Sequence, residues 1–263
     1  MKIHANGITV HYEMEGPESA PVVSLSHSLA TDLSMWDLQA AVLKSGYRVL
    51  RYDTRGHGGT EAPEGPYTLE QLAEDAKALL RALGIPKTHF MGISMGGMIG
   101  QILGLKDPGM LRSLILCDTS SRIPEEAIPI WEERIGLAQE QGMVSLVEST
   151  MERWFTPSFR GKPLSVLDKV RAMIRATPVA GYVGCSRAIM KLNLTERLSE
   201  VALPTLIIVG EEDPGTPVAA SQAIHKQIKG SELVILKSAA HLSNIEQQDA
   251  FNTAVLDFLR RRA

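Results

Sequence analysis

The sequence predicts an α/β domain: a mostly parallel sheet of eight strands, flanked by helices and broken once by a helical insertion. Three observations predict it. Short apolar runs alternate with longer helical patterns. The runs are near-continuous in hydrophobicity rather than alternating, as expected of parallel strands covered on both faces. Only one stretch, from Ser120 to about Ser199, departs from the pattern. A chain of 263 residues with 44% hydrophobic content suits one such domain carrying an insertion.

The elements follow in order. Lys2–Ala5 and Ile8–Glu13 are short extended runs joined by Asn6-Gly7, which reads as a β-hairpin. The six runs Pro21–Leu25, Tyr47–Arg51, Thr88–Met91, Ser113–Cys117, Thr205–Val209 and Glu232–Leu236 supply the parallel strands. Leu69–Leu83 carries leucines at helical spacing and stops at Gly84, with Pro86 just beyond. Met95–Lys106 is a helix that ends before Asp107-Pro108. Pro217–Lys229 opens on proline and stops before Gly230, and Glu246–Arg261 closes the chain with basic residues at its C-terminal end. Residues 120–199 lack a clear strand and are rich in Glu, Arg and Met, with Trp131 and Trp154 among them. That length exceeds a simple crossover, so the expected organisation is a core of residues 1–119 and 200–263 with a helical cap between the sixth and seventh strands.

Composition narrows the function. A net charge of −3 and a pI near 6.2 offer no electrostatic case for nucleic acid or an anionic membrane. No apolar run reaches the ~18 residues of a membrane span, and the N-terminus lacks a signal-type apolar segment. Cys117 and Cys185 lie far apart with no metal-type spacing. They read as reduced thiols of a cytoplasmic protein. No histidine pair has metal-binding spacing, and neither metal nor cofactor is expected.

The chemistry is carried by Gly92-Ile93-Ser94-Met95-Gly96, placed between a strand and a helix. This is G-x-S-x-G, the turn that lifts a nucleophilic serine above a sheet. With glycine and serine each about 7% of residues in an average protein, the pentapeptide arises by chance in on the order of one such chain in ten. Its strand–helix context is what makes it informative. A dinucleotide-binding turn is the rival, since Asp118 ends the next strand where a ribose-binding acid would sit. Ser94 argues against it, because a G-x-G-x-x-G frame starting at Gly92 needs glycine there to admit the pyrophosphate.

A serine hydroxyl needs a base, and the base needs an orienting acid. His241, in Ala239-Ala240-His241-Leu242-Ser243, follows the last strand and is the expected base. Asp213, directly after strand Thr205–Val209, is the expected acid, with Asp118 its competitor. The oxyanion would be met by the backbone N–H groups of Met95 and Leu29, the latter in the loop Ser26-His27-Ser28-Leu29-Ala30. Ser28 is a candidate substrate contact, and His27 and Ser28 serve equally as loop-shaping residues.

These residues resemble those of the 3-oxoadipate enol-lactonases, a family within the α/β-hydrolase superfamily. The likeness includes Ser-Leu-Ala-Thr-Asp-Leu-Ser-Met-Trp at 28–36, Arg-Tyr-Asp-Thr-Arg-Gly-His-Gly at 51–58 and Gly-Pro-Tyr-Thr at 65–68. It continues through Gly-Ile-Ser-Met-Gly-Gly-Met-Ile-Gly-Gln at 92–101, Arg-Trp-Phe at 153–155, Gly-Tyr at 181–182 and Ala-Ala-His-Leu-Ser-Asn-Ile-Glu-Gln at 239–247. The resemblance implies the α/β-hydrolase fold with a helical cap, opening of an enol-lactone by water, and Ser94, Asp213 and His241 as nucleophile, acid and base. Two positions depart from the pattern. His27 replaces a frequent asparagine, and Met190-Lys191-Leu192-Asn193 replaces an arginine followed by acidic residues.

Such a substrate carries a carboxylate, which needs a cation or several donors when buried. The insertion offers Arg134, Arg153, Arg187 and the Trp154 indole N–H. Two alternatives share the same motifs: a general short-chain carboxylesterase, and a small-molecule receptor that retains the fold without turnover.

Overall fold

The computed structural model describes residues 1–262. The Asn6-Gly7 turn joins β1 (Lys2–Ala5) to β2 (Ile8–Glu15) in antiparallel register, with Lys2 opposite His11. Both turn residues have positive φ, 50° and 76°, which the primed hairpin turn requires. The sheet continues with β3 (Val22–Ser26), β4 (Arg48–Tyr52), β5 (Thr88–Ile93), β6 (Leu111–Cys117), β7 (Thr205–Gly210) and β8 (Glu232–Leu236). Its spatial order is β1-β2-β4-β3-β5-β6-β7-β8, antiparallel only at the hairpin edge. The central strands β5 and β7 are buried along their whole length, which is why their sequences show no alternation.

Helices cover both faces. α1 (Asp37–Leu43) packs beside β4, and α2 (Leu69–Ala82) is capped by the Thr68 side chain accepting from Gln71 N–H at 3.0 Å. α3 (Met95–Lys106) is buried almost throughout, between α2 and strands β5 and β6. The insertion contributes α4 (Ile128–Gln141), α5 (Val147–Trp154), α6 (Pro157–Arg160), α7 (Ser165–Ala176) and α8 (Val179–Ile189). The chain ends with α9 (Val218–Gln227), α10 (Ser243–Glu246) and α11 (Gln248–Arg260). The α/β-hydrolase fold is the one expected from sequence.

Local departures have physical causes. α1 is only seven residues long and lacks a side-chain cap, so its sequence carries no boundary signal. The final helix breaks at Gln247, whose φ and ψ of −123° and 51° are non-helical. There Glu246 turns inward to bind backbone N–H groups instead of continuing a helical face. Between β6 and β7 the only extended pairing is a single bridge, Arg122 to Asn193, which brings the two ends of the insertion together. Among the described residues no helix is long and apolar enough to cross a membrane.

Candidate active site

The parallel strands end at one rim, and the loops there carry the candidate residues. Ser94 stands between β5 and α3 with φ 54° and ψ −116°, a left-handed conformation costly for serine. Close backbone packing imposes it. A Cβ on Gly92 would sit 2.1 Å from the Gly96 carbonyl oxygen, and one on Gly96 would sit 2.1 Å from the Ser26 carbonyl oxygen. Only glycine fits at either place. Ser94 N–H donates to the Cys117 carbonyl at 2.9 Å, and the Thr119 hydroxyl donates to the Ser94 carbonyl at 2.7 Å. The turn is thus tied to the end of β6 on both sides of the Ser94 side chain.

His241 follows β8 in a tightly braced loop. Its Nδ1 lies 2.8 Å from Asp213 Oδ2. Asp213 also accepts from Gly215 N–H at 2.8 Å, Thr216 N–H at 3.0 Å and the Thr216 hydroxyl at 2.6 Å. Burial alone would raise its pKa, but attraction to His241 and these hydrogen bonds outweigh burial and hold the carboxyl below its ordinary value. An ionised Asp213 only accepts, so the His241 proton resides on Nδ1 and Nε2 keeps the basic lone pair. For His241, burial opposes charging, yet Asp213 prevails and its pKa is raised above 6.5. Ser94 and His241 line the same cavity of about 1010 Å³. No hydrogen bond joins their side chains here, and such contacts tighten when substrate is bound.

The competing acid has other partners. Asp118 accepts from Gly210 N–H at 2.8 Å and from the Ser243 hydroxyl at 2.5 Å, and makes no bond to His241. Burial, then the nearby Asp213 charge, push its pKa well above the usual carboxylate range.

The loop after β3 forms a turn over Ser28–Thr31, closed by Thr31 N–H donating to the Ser28 carbonyl at 3.3 Å. Ala30, its third residue, has φ 60°, where glycine is usual. Among the described residues the Leu29 N–H finds no acceptor, and Leu29 lines the cavity. Met95 begins α3, so its N–H has no intrahelical partner. Ser28 also lines the cavity, and its hydroxyl is buried without a partner.

The insertion supplies the opposite wall. Arg134 lies over the Trp131 ring at 5.7 Å, and Arg153 donates to the Thr150 hydroxyl at 2.9 Å. Burial lowers the pKa of Arg134; burial, then repulsion from Arg134, push Arg153 down to about 10. Neither forms an ion pair among the described residues, although both line the cavity. Trp154 also lines it, with its ring 6.2 Å from that of His241. Arg187, the third arginine of the insertion considered, is surface-exposed and paired with Glu132 at 3.2 Å, outside the cavity. Of the two departures from the enol-lactonase pattern, Asn193 lines the cavity and His27 is buried behind the loop.

Sequence reasoning missed Glu246 and Thr216. The Glu246 carboxylate accepts from Ala240 N–H at 3.0 Å, Thr156 N–H at 3.1 Å and the Thr156 hydroxyl. It therefore joins the His241 loop to the insertion across 90 residues of chain. The resembling segment 239–247 ends on this glutamate, but spacing alone does not reveal such a long-range bond. Thr216 carries no motif at all.

Comparison with known proteins agrees with this architecture. A family described as alpha/beta hydrolase fold matches residues 21–248. The chain is 37% identical to 3-oxoadipate enol-lactonase 2 of Acinetobacter baylyi, over 98% of this chain and 95% of the relative. It is 38% identical to enol-lactonase 1 of the same organism, over 95% and 93%. The crystal structure of the enol-lactonase from Burkholderia xenovorans LB400 superposes with a TM-score of 0.95 at 38% identity, covering 99% of this chain and 100% of that one.

Proposed function

We propose that this chain, which belongs to the α/β-hydrolase family and is a homologue of the 3-oxoadipate enol-lactonases, opens 3-oxoadipate enol-lactone or a closely related small lactone bearing a carboxylate. Ser94 attacks the lactone carbonyl while His241 Nε2 takes its proton and Asp213 holds the imidazole. The Leu29 and Met95 N–H groups receive the oxyanion. Collapse breaks the ring C–O bond, and the enol oxygen takes the proton from His241. The enol then rearranges to the ketone. Water, deprotonated by His241, hydrolyses the acyl-enzyme and releases the second carboxylate. Residues 120–199 act as a cap that closes the substrate wall.

The observation carrying this reading is the pair Arg134 and Arg153, half-buried in the Ser94 cavity without a carboxylate partner. Two desolvated like charges side by side are costly, and an anionic substrate relieves both. Trp154 and Ser28 line the same cavity. The test compares initial rates on the enol-lactone and on p-nitrophenyl butyrate. Arg134→Met should raise KM for the lactone roughly ten- to a hundredfold and leave the neutral ester within threefold. Equal effects on both substrates would remove the anion-binding role.

A second reading, a general short-chain carboxylesterase, is favoured by the cavity volume. About 1010 Å³ is at the upper end for drug-sized ligands, well beyond the needs of a small lactone. A higher kcat/KM on the neutral ester than on the lactone would select it.

A further inference from the structure

We propose that His27 and His57 form a reciprocal clamp that positions the oxyanion loop, each as a neutral ring with its proton on Nδ1. The inference rests on the reading of Leu29 as an oxyanion donor. β3 and β4 are adjacent parallel strands, and each is followed by a rim loop. The loop after β3 carries His27, Leu29 and Ala30; the segment after β4 carries Thr54, Arg55 and His57. Each histidine reaches across to the other loop. Thr54 N–H donates to His27 Nε2 at 2.9 Å, and Ala30 N–H donates to His57 Nε2 at 3.1 Å.

The donors are backbone amides, which cannot accept. Both Nε2 atoms must therefore present a lone pair, and both protons belong on Nδ1. The Nδ1 atoms face carbonyl oxygens: His27 Nδ1 lies 2.7 Å from Ser28 O, and His57 Nδ1 lies 3.2 Å from Arg55 O. Every contact is satisfied in that one tautomer and in no other. The rings sit 5.3 Å apart and are fully buried. Burial first, then the repulsion two charged rings would feel, drive the His57 pKa down to about 3; burial likewise lowers that of His27, against the pull of Asp53 and Asp32. Neither ring lines the cavity, so both act through the loop.

The loop needs such support. Ala30 adopts φ 60°, and a non-glycine residue holds that conformation only when its surroundings enforce it. The bond to His57 is made by Ala30's own N–H, one residue after Leu29. The Ser28 carbonyl, one residue before, is held by His27 and by the Thr31 hydroxyl at 2.8 Å. The clamp thus grips the turn on both sides of the Leu29 amide. An oxyanion donor displaced by a fraction of an ångström loses much of its effect.

His57→Leu keeps volume and removes the acceptor. It should lower kcat on p-nitrophenyl butyrate about ten- to a hundredfold with KM within twofold, and slow phosphorylation of Ser94 by diisopropyl fluorophosphate in parallel. His57→Gln, which places an oxygen near the lost Nε2, should restore most of both. A folded His57→Leu protein with wild-type kcat overturns the clamp. A ¹⁵N-edited histidine spectrum of the unaltered protein gives a second reading if the variant does not fold. It should show His27 and His57 both as neutral Nδ1–H rings, and an Nε2–H tautomer at either residue refutes the assignment. Ser94→Ala separates this inference from the one beneath it: retained hydrolysis there removes the triad itself, whereas loss there beside an active His57→Leu removes only the clamp.

Discussion

The two walls of the cavity are built on opposite principles. On the sheet side, the carboxylates that brace the His241 loop are saturated: Asp213 accepts four hydrogen bonds and Glu246 three. On the insertion side, Arg134 and Arg153 are partly desolvated and form no ion pair among the described residues. A saturated wall holds its geometry before substrate arrives, as acid–base chemistry needs. An unsaturated wall stores a demand that only a ligand of matching charge meets. Under the proposed function, the contrast separates reaction from recognition. It predicts that changes to the first wall act on every substrate, and changes to the second act on some.

Asp213→Asn is the strongest way to break the contrast. Asparagine does not stabilise the imidazolium and favours the wrong tautomer. It should lower kcat about 10³- to 10⁴-fold on the lactone and the neutral ester alike, measured by steady-state kinetics. A loss confined to one substrate would erase the distinction between the walls. Glu246→Gln comes next. The amide nitrogen would face N–H donors, leaving at least one of them unpaired at about 1–3 kcal/mol. Urea denaturation should show that loss, and kcat should fall severalfold as the His241 loop loosens.

The pH profile is a subtler measure. The proposed mechanism needs neutral His241, whose pKa is raised above 6.5. The acid limb of kcat/KM should therefore lie above pH 6.5, activity rising as the ring loses its proton. The stabilising contribution of protonated His241 runs the other way. It is complete below the ordinary histidine value and disappears as pH rises through the folded value. Asp213, with a lowered pKa, contributes stability above the ordinary carboxylate value that is lost as pH falls. An acid limb below pH 6.5 would mean that Asp213 does not govern the base. The smallest effect belongs to Arg187→Ala. Its exposed pair with Glu132 is worth about 0–1 kcal/mol, and KM for the lactone should stay within twofold. A large rise would return Arg187 to the substrate wall.

How much was legible follows from the range of the forces involved. The hairpin at Asn6-Gly7, the buried strands, α3 and the G-x-S-x-G turn are written in local sequence, because turn chemistry and apolar runs act over a few residues. α1 was not legible, being short and uncapped. Nor was the break at Gln247, where a bond from Glu246 to Thr156 and Ala240 overrides a helical pattern. Among the arginines, sequence could not separate Arg134 and Arg153 from Arg187. All three sit in helices, and only packing decides which face turns inward.

By itself, then, the sequence determined the strand order along the chain, the crowded serine turn and the residue types able to serve it. Those depend on neighbours in the chain and on steric limits that glycine alone satisfies. Tertiary structure decided which acid meets His241, which cations enter the cavity and how two histidines cross-tie the loops after β3 and β4. Those choices bring together groups tens of residues apart, and their energies exist only once burial has removed water from between them.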